Sequence, residues 1–317
     1  MSEKIQDEEL PLPSYLRVYK NTFLSTYMVT YMPEYEKLKC RDDDVYVMSY
    51  PKCGTTWMQA IVWLVMNDAD VAFQGGSKAL DELFPMLEWP FNSKDMAEFG
   101  KLKKLPECPD WEARPSPRLF KTHLNFQLLP TEIVERTKTP KIVYVSRNPK
   151  DTAVSFYHFI KGFDSSLFGV HNDFANSTFP EFYKYYMQGK CDYGEYWAHQ
   201  VDFWERRHWK NILFVKYEDM KKDLKGEVRR VANFLGKNLS EEKIDKIVEA
   251  TTFSSMKRNN TVNYTGMKAG RTQDATPFMR KGVAGDWKNY FTAEMSDNMD
   301  AVTQQKFADS GLQHEYE

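Results

Sequence analysis

The chain has 317 residues, of which 42% are hydrophobic and 28% charged, and its 43 Lys plus Arg against 45 Asp plus Glu leave a formal net charge of -2. That length buries a large core in one or two domains, the composition excludes intrinsic disorder, and the balance of charge provides no global basic field for nucleic acid or an anionic membrane. The aromatic share of 15%, with 21 Phe, 18 Tyr and 8 Trp, predicts a ring-rich core with a surplus that can line a ligand pocket.

The first ten residues, MSEKIQDEEL, hold four acids and one lysine, the reverse of a secretory signal, and read as a solvated tail. Residues 1–40 are therefore expected to be a tail and lead-in to one globular body over 41–317. Cys40, Cys53, Cys108 and Cys191 are widely spaced with no CxxC pair, which suits a reducing, cytoplasmic setting and no metal. The longest apolar run, Trp57 to Met66, is ten residues and includes Gln59, too short to cross a bilayer at about 20 residues.

Short β-branched and aromatic runs predict buried strands at Val45 to Ser49, Leu119 to Lys121, Lys141 to Ser146 and Ile212 to Val215. Between and after them the spacing predicts helices over Thr56 to Asn67, Pro149 to Ile160, Tyr193 to His208, Leu224 to Leu235 and Ser240 to Thr251. Asn148, Pro149 and Asp151 form a good N-terminal signature for the second of these. Strands alternating with helices predict an α/β fold, a single domain with a mostly parallel central sheet flanked by helices. Two stretches lack periodicity. Phe163 to Pro180 reads as a long loop, and Thr251 to Tyr290 carries seven bases against two acids, a basic segment within a near-neutral protein.

The segment Asp44 to Val65, DVYVMSYPKCGTTWMQAIVWLV, is a strand, a tight turn with Gly54, and a helix start. Backbone N–H groups and the positive helix end converge there on an anion, and Lys52 with the Thr55 and Thr56 hydroxyls adds charge and donors. It is a P-loop-like anion loop but not a Walker loop: Lys52 precedes Gly54 and the first glycine is missing. A transferred group of lower charge than phosphoryl tolerates such a loop without a metal.

YPKCGTTW, Tyr50 to Trp57, resembles the 5'-phosphosulfate loop of the cytosolic sulfotransferases, whose common form is YPKSGTTW; Cys53 replaces the usual serine. Three further blocks match in the family's order: LFKTHL (Leu119 to Leu124), RNPKDTAVSFYHF (Arg147 to Phe159) and RKGVAGDW (Arg280 to Trp287). The resemblance implies 3'-phosphoadenosine 5'-phosphosulfate (PAPS) as donor, without a metal. It implies that Lys52, Cys53, Gly54, Thr55 and Thr56 hold the phosphosulfate, and that Arg147, Ser155, Arg280, Lys281 and Gly282 hold the 3'-phosphate. Trp57, Tyr217, Thr251, Phe253 and Met256 would frame the adenine. His123 becomes the candidate general base, with Lys121 and Lys52 beside it as catalytic cations; a strand-end histidine satisfied by backbone is the ordinary alternative.

PMLEW, Pro85 to Trp89, resembles the family's acceptor-pocket segment, which marks Met86, Trp89 and Phe159, with Lys121 and His123, as the acceptor site. The acceptor class implied is a small hydroxyl-bearing lipophile, a phenol, a steroid or another alcohol. KNYFTAEMSD, Lys288 to Asp297, departs from the family's KxxxTVxxxE dimer motif at Ala293 and Asp297, so a weak homodimer or a monomer is expected. Two other readings stay open, a noncatalytic carrier of nucleotide or lipophile and a nucleotide kinase.

Overall fold

A computed structural model describes residues 9–71, 79–89, 107–162, 173–263 and 276–316. Its centre is a parallel sheet of β3 (Val45–Met48), β4 (Leu119–Thr122), β5 (Lys141–Ser146) and β6 (Ile212–Lys216) in the order β4-β3-β5-β6. The register pairs Val45 with Leu119 on one side and Lys141 on the other, and Ile142 with Ile212. Met86 adds a parallel rung outside β4: the Lys121 N–H donates to the Pro85 carbonyl and the Leu87 N–H to the Lys121 carbonyl, both at 2.8 Å.

Side chains alternate across this sheet, so each strand feeds two cores. Val45, Val47, Leu119, Val143, Val145 and Val215 face an aliphatic layer that includes the helices Thr55–Met66, Leu224–Phe234 and Glu241–Ala250. Tyr46, Met48, Phe120, Ile142, Tyr144 and Phe214 face an aromatic one. Tyr144 there stacks on Phe203 with ring centroids 4.3 Å apart and planes at 16°. Much of the aromatic surplus is this single layer.

The four expected strands form within a residue of their predicted ends, and the fold class holds. Four of the expected helices start later or stop earlier than expected. The helix expected from Tyr193 runs Tyr196–Glu205, because Tyr193 and Gly194 both take positive φ, 70° and 73°, which no right-handed helix accommodates. Residues 163–172 of the expected loop lie outside the described residues; its end is already helical, Phe179–Met187, started by a capping box between Thr178 and Glu181.

Within the segment expected as a tail and lead-in, 1–40, residues 16–36 are structured. β1 (Leu16–Tyr19) and β2 (Thr22–Ser25) pair as an antiparallel hairpin whose turn residues Lys20 and Asn21 both take positive φ, as two-residue hairpin turns require. The helix Thr26–Glu36 follows, and Leu24, Met32 and Tyr35 are wholly buried in the aromatic layer.

The strand order reverses direction between β3 and β5, with β4 on one flank and β6 on the other. In open α/β sheets such a switch leaves a crevice beyond the carboxyl ends of the strands. The loops Ser49 to Gly54 and Arg147 to Asn148 leave β3 and β5 at that crevice.

Candidate active site

At the end of β3 the chain turns through Lys52 (φ 71°) and Gly54 (φ 107°) into the helix Thr55–Met66. A Cβ on Gly54 would stand 2.8 Å from the Tyr217 ring, so both conformation and space demand glycine. The first turn thus exposes backbone N–H groups toward the crevice. Thr55 is buried and its hydroxyl is 2.6 Å from Ser49 Oγ, so that group is shared with the strand end; Thr56 is partly exposed. Cys53 points into the core, with Sγ 3.6 Å from Thr152 Oγ1, and burial pushes its thiol up to about 12. It contributes backbone to the loop and no thiolate.

Lys52 is partly buried, its Nζ 4.1 Å from the Phe159 ring centroid and 3.9 Å from that of Phe278. These residues, with Ser155, His158, Thr276 and Arg280, line one small cleft. The cleft joins the phosphosulfate loop to the helix Pro149–Lys161 and to the basic carboxyl-terminal block.

His123 follows β4. Its Nδ1 is 2.8 Å from the Ser49 carbonyl oxygen. A carbonyl only accepts, so Nδ1 carries the hydrogen and Nε2 the lone pair. Burial, then the neighbouring charge of Lys121, holds the imidazole well below its usual pKa, which keeps it neutral and able to accept a proton. The main chain of His123 is pinned at both ends: its N–H donates to Glu88 Oε1 at 2.7 Å, and its carbonyl accepts from His199 Nε2 at 2.9 Å. Tyr144 OH and His199 Nδ1, 2.8 Å apart, orient the second histidine, and the Tyr193 ring meets His123 edge-on at 5.4 Å. Met86, Trp89 and Phe159 are partly buried against the same aromatic layer.

Arg147 follows β5. It is 8% exposed, stacks over the Tyr217 ring at 4.4 Å, and donates to the carbonyls of Lys52 at 3.3 Å and Val283 at 3.1 Å. Asn148 caps the next helix by accepting the Asp151 N–H at 2.8 Å. Asp151 in turn accepts the N–H groups of Gly285 at 2.8 Å and Trp287 at 3.0 Å, which fastens the carboxyl-terminal block to this helix. Within that block Arg280 and Lys281 each contact Asp286 at 2.5 Å. Gly282 takes φ 66°, and a Cβ there would fall 2.1 Å from the Phe253 ring.

Trp57 and Tyr217 meet edge-on at 5.4 Å, and Met256 is buried in the aliphatic layer. The Thr251 hydroxyl donates to the Ile247 carbonyl at 2.7 Å, so it closes its own helix. Of the buried donors that lack a hydrogen-bond partner among the described residues, three belong to this site: Trp57 Nε1, Arg147 Nε and Arg280 NH1. Lys268 and Arg271 of the basic segment lie outside the described residues.

The structure therefore gathers Lys52, Ser155, Phe159 and Arg280 around one cleft, and ties His123, Arg147 and the carboxyl-terminal block to the strand and helix ends about it. Sequence reasoning missed Glu88, Asp151, Asp286, Phe278 and Tyr193. Glu88 had one signal, a carboxylate among apolar neighbours in PMLEW, where an exposed glutamate is out of place.

A family model described as "Sulfotransferase domain" matches residues 42–311. Sulfotransferase 1E1 of Cavia porcellus is 39% identical over 279 residues, which cover 88% of this chain and 88% of that protein. Among solved structures, retinol dehydratase in a complex with retinol and PAP matches with a TM-score of 0.79 at 29% identity, covering 96% of this chain and 93% of the other. Mouse sulfotransferase SULT7A1 complexed with PAP matches with a TM-score of 0.68 at 30% identity, covering 94% and 95%.

Proposed function

The chain belongs to the sulfotransferase family, and we propose that it transfers the sulfuryl group of PAPS to the hydroxyl of a small lipophilic acceptor, a phenol, a steroid or another alcohol. When bound, PAPS supplies the sulfuryl group, which passes to the acceptor oxygen as the bond to the phosphosulfate oxygen breaks and 3'-phosphoadenosine 5'-phosphate (PAP) leaves. The residues fit such a donor: a glycine cradle at Gly54 that a Cβ would fill, and orphaned donors on Trp57, Arg147 and Arg280.

The observation that carries the reading is the His123 Nδ1 to Ser49 carbonyl bond at 2.8 Å. It fixes the tautomer, so Nε2 takes the acceptor hydroxyl proton as the oxygen attacks, and the imidazole is steered by the same strand end that begins the anion loop. Lys52, the loop amides of Gly54 and Thr55, and the Thr55 and Thr56 hydroxyls oppose the charge that gathers on the phosphosulfate oxygen. Lys121 lends charge near His123. Arg147, Ser155, Arg280, Lys281 and the Gly282 amide hold the 3'-phosphate, where guanidinium forks suit phosphate oxygens. Trp57, Tyr217, Thr251, Phe253 and Met256 frame the adenine, and Met86, Trp89 and Phe159 wall the acceptor. Retinol bound in one relative is a hydroxyl-bearing lipophile of the expected class.

Ala293 and Asp297 are exposed at the start of the helix Ala293–Phe307, and the small alanine supports a monomer or weak homodimer; the four free cysteines suit a cytoplasmic setting. Among the described residues no helix is long and apolar enough to cross a membrane. The test is turnover of a panel of phenols, steroids and aliphatic alcohols with sulfur-labelled PAPS. His123→Ala is expected to lose turnover by about 100-fold or more while still binding PAP; retained turnover in that variant removes the base assignment. Tight PAP binding with no acceptor turned over by the wild type favours a noncatalytic carrier.

A further inference from the structure

Residues 312–316 lie beyond the span that the family model matches, 42–311, yet they dock against the back of the candidate 3'-phosphate grip. Leu312 is buried. The side chain of His314 is wholly buried, and its Nε2 lies 3.1 Å from Ser146 Oγ and 3.5 Å from Tyr196 OH. Ser146 is the last residue of β5 and directly precedes Arg147. Tyr196 OH donates to the Arg147 carbonyl. On the other side of the ring, His314 Nδ1 is 3.9 Å from Glu218 Oε2, and Glu218 Oε1 accepts both the N–H of Asn148 at 2.9 Å and its side-chain amide at 3.1 Å. One imidazole thus touches three residues that hold the main chain on both sides of Arg147.

Two residues on, the same segment reaches the second limb of the grip. The Tyr316 carbonyl accepts Trp287 Nε1 at 3.0 Å, the Tyr316 and Trp287 rings meet edge-on at 6.5 Å, and a Cβ on Gly285 would stand 3.6 Å from the Tyr316 carbonyl oxygen. Gly285 and Trp287 belong to the block that carries Arg280, Lys281 and Gly282.

We propose that His314 and the segment around it are a positioning element for recognition of the donor's 3'-phosphate, setting Arg147 through Ser146, Tyr196 and Glu218 and setting the carboxyl-terminal block through Trp287. His314 is walled off from the cleft by the residues it steadies, so it acts through them. The inference rests on the assignment of Arg147 to the 3'-phosphate.

The experiment compares the affinities of the full-length protein for PAP and for adenosine 5'-monophosphate, which lacks the 3'-phosphate. In the wild type the ratio reads the grip. Arg147→Ala is expected to collapse that ratio, and His314→Ala to reduce it by about tenfold, roughly 1.4 kcal/mol, with affinity for the monophosphate unchanged. His314→Gln, whose amide still reaches a hydroxyl, is expected to restore most of the ratio. Ser146→Ala, which deletes the hydroxyl His314 meets and little volume, reports on the same contact if His314→Ala does not fold. If Arg147→Ala leaves the ratio intact, the grip assignment fails. If Arg147→Ala collapses it while His314→Ala and Ser146→Ala do not, or if these two weaken both ligands equally, the positioning role is overturned.

Discussion

Asp151 accepts the backbone N–H of Gly285 at 2.8 Å across 134 residues of sequence. With the second bond from the Trp287 N–H, one buried carboxylate holds the basic carboxyl-terminal block against the helix that begins beside Arg147. A negative group inside an anion site works against the ligand by Coulomb's law, so its value lies in geometry. Asp151→Ala leaves two N–H groups without their acceptor, at about 1–3 kcal/mol each. The expected result is a lower unfolding midpoint and PAP affinity weakened by about tenfold or more, with Asp151→Asn retaining part of both because its amide oxygen still accepts. Calorimetric titration with PAP checks this; an Asp151→Ala protein that binds PAP as the wild type does would show that the block is held by other means.

Acid is expected to leave His123 unprotonated longer than an ordinary histidine. Burial and the Lys121 charge hold its pKa well below 6.5, and burial with Arg280 nearby brings His158 to about 4. Because the folded values lie below the unfolded one, the unfolded chain takes up these protons first as pH falls. The stability is fully present above about pH 6.5 and declines as the pH drops toward the folded values. The imidazole resonances of His123 in the ligand-free protein should stay those of the neutral Nδ1–H form from pH 8 to pH 6. In His123→Asn, whose amide still donates to Ser49, stability should fall less steeply below pH 6.5 than in the wild type. A midpoint at 6.5 in the resonance titration would contradict the half-buried neutral imidazole.

What could be read from the chain alone follows a physical division. The four central strands were legible because buried parallel strands are short runs of β-branched and aromatic residues, and the anion loop was legible because its geometry lives in Gly54 and the helix start, which leave a local trace. The hairpin at Leu16–Ser25 was hidden because its turn, Lys20 and Asn21, lacks glycine, and the helix Thr26–Glu36 because Pro33 interrupts its pattern. In the site, cations were legible and their anionic anchors were not. Asp151 reads as an ordinary helix N-terminal acid and Asp286 as a stray charge in a basic segment. Their roles depend on partners more than a hundred residues away, or on a loop whose path no local pattern reveals. Glu88 left a trace as a carboxylate among apolar neighbours, but the partner it fixes, the His123 N–H, lies 35 residues on.

Thiol reactivity separates the cysteines. Cys53 sits beside Lys52 at a helix start, a position that lowers thiol pKa when the sulfur faces solvent. Here the sulfur faces Thr152 and Gln200, and burial pushes its pKa to about 12. Cys40 and Cys191 are also buried, whereas Cys108 is partly exposed. Alkylation of the native protein at neutral pH, followed by peptide mass analysis, is expected to mark Cys108 first and to spare Cys53. Cys53→Ser should keep turnover within about threefold, since the loop uses main chain at this position. Early labelling of Cys53 would mean that the loop opens its sulfur to solvent.

Gly282 and Phe253 supply a test that separates packing from charge in the donor site. Gly282 has φ 66°, and an added Cβ would fall 2.1 Å from the Phe253 ring, closer than any nonbonded contact permits. Gly282→Ala must displace either the ring expected to face adenine or the loop expected to face the 3'-phosphate, and the positive φ adds strain of about 1–3 kcal/mol. PAP affinity should fall by about tenfold or more, with the His123 resonances unmoved because that residue follows β4, on the other flank of the sheet from β6. Phe253→Ala alone, which removes every ring atom the new methyl would meet, should also weaken PAP binding, through lost ring area. In the double variant the smaller side chain leaves room for the new methyl, so the losses should sum to less than the two singles. The remaining deficit measures the backbone strain, which no change at Phe253 relieves. Strict additivity in this cycle would mean that the ring and the loop do not meet in the folded protein.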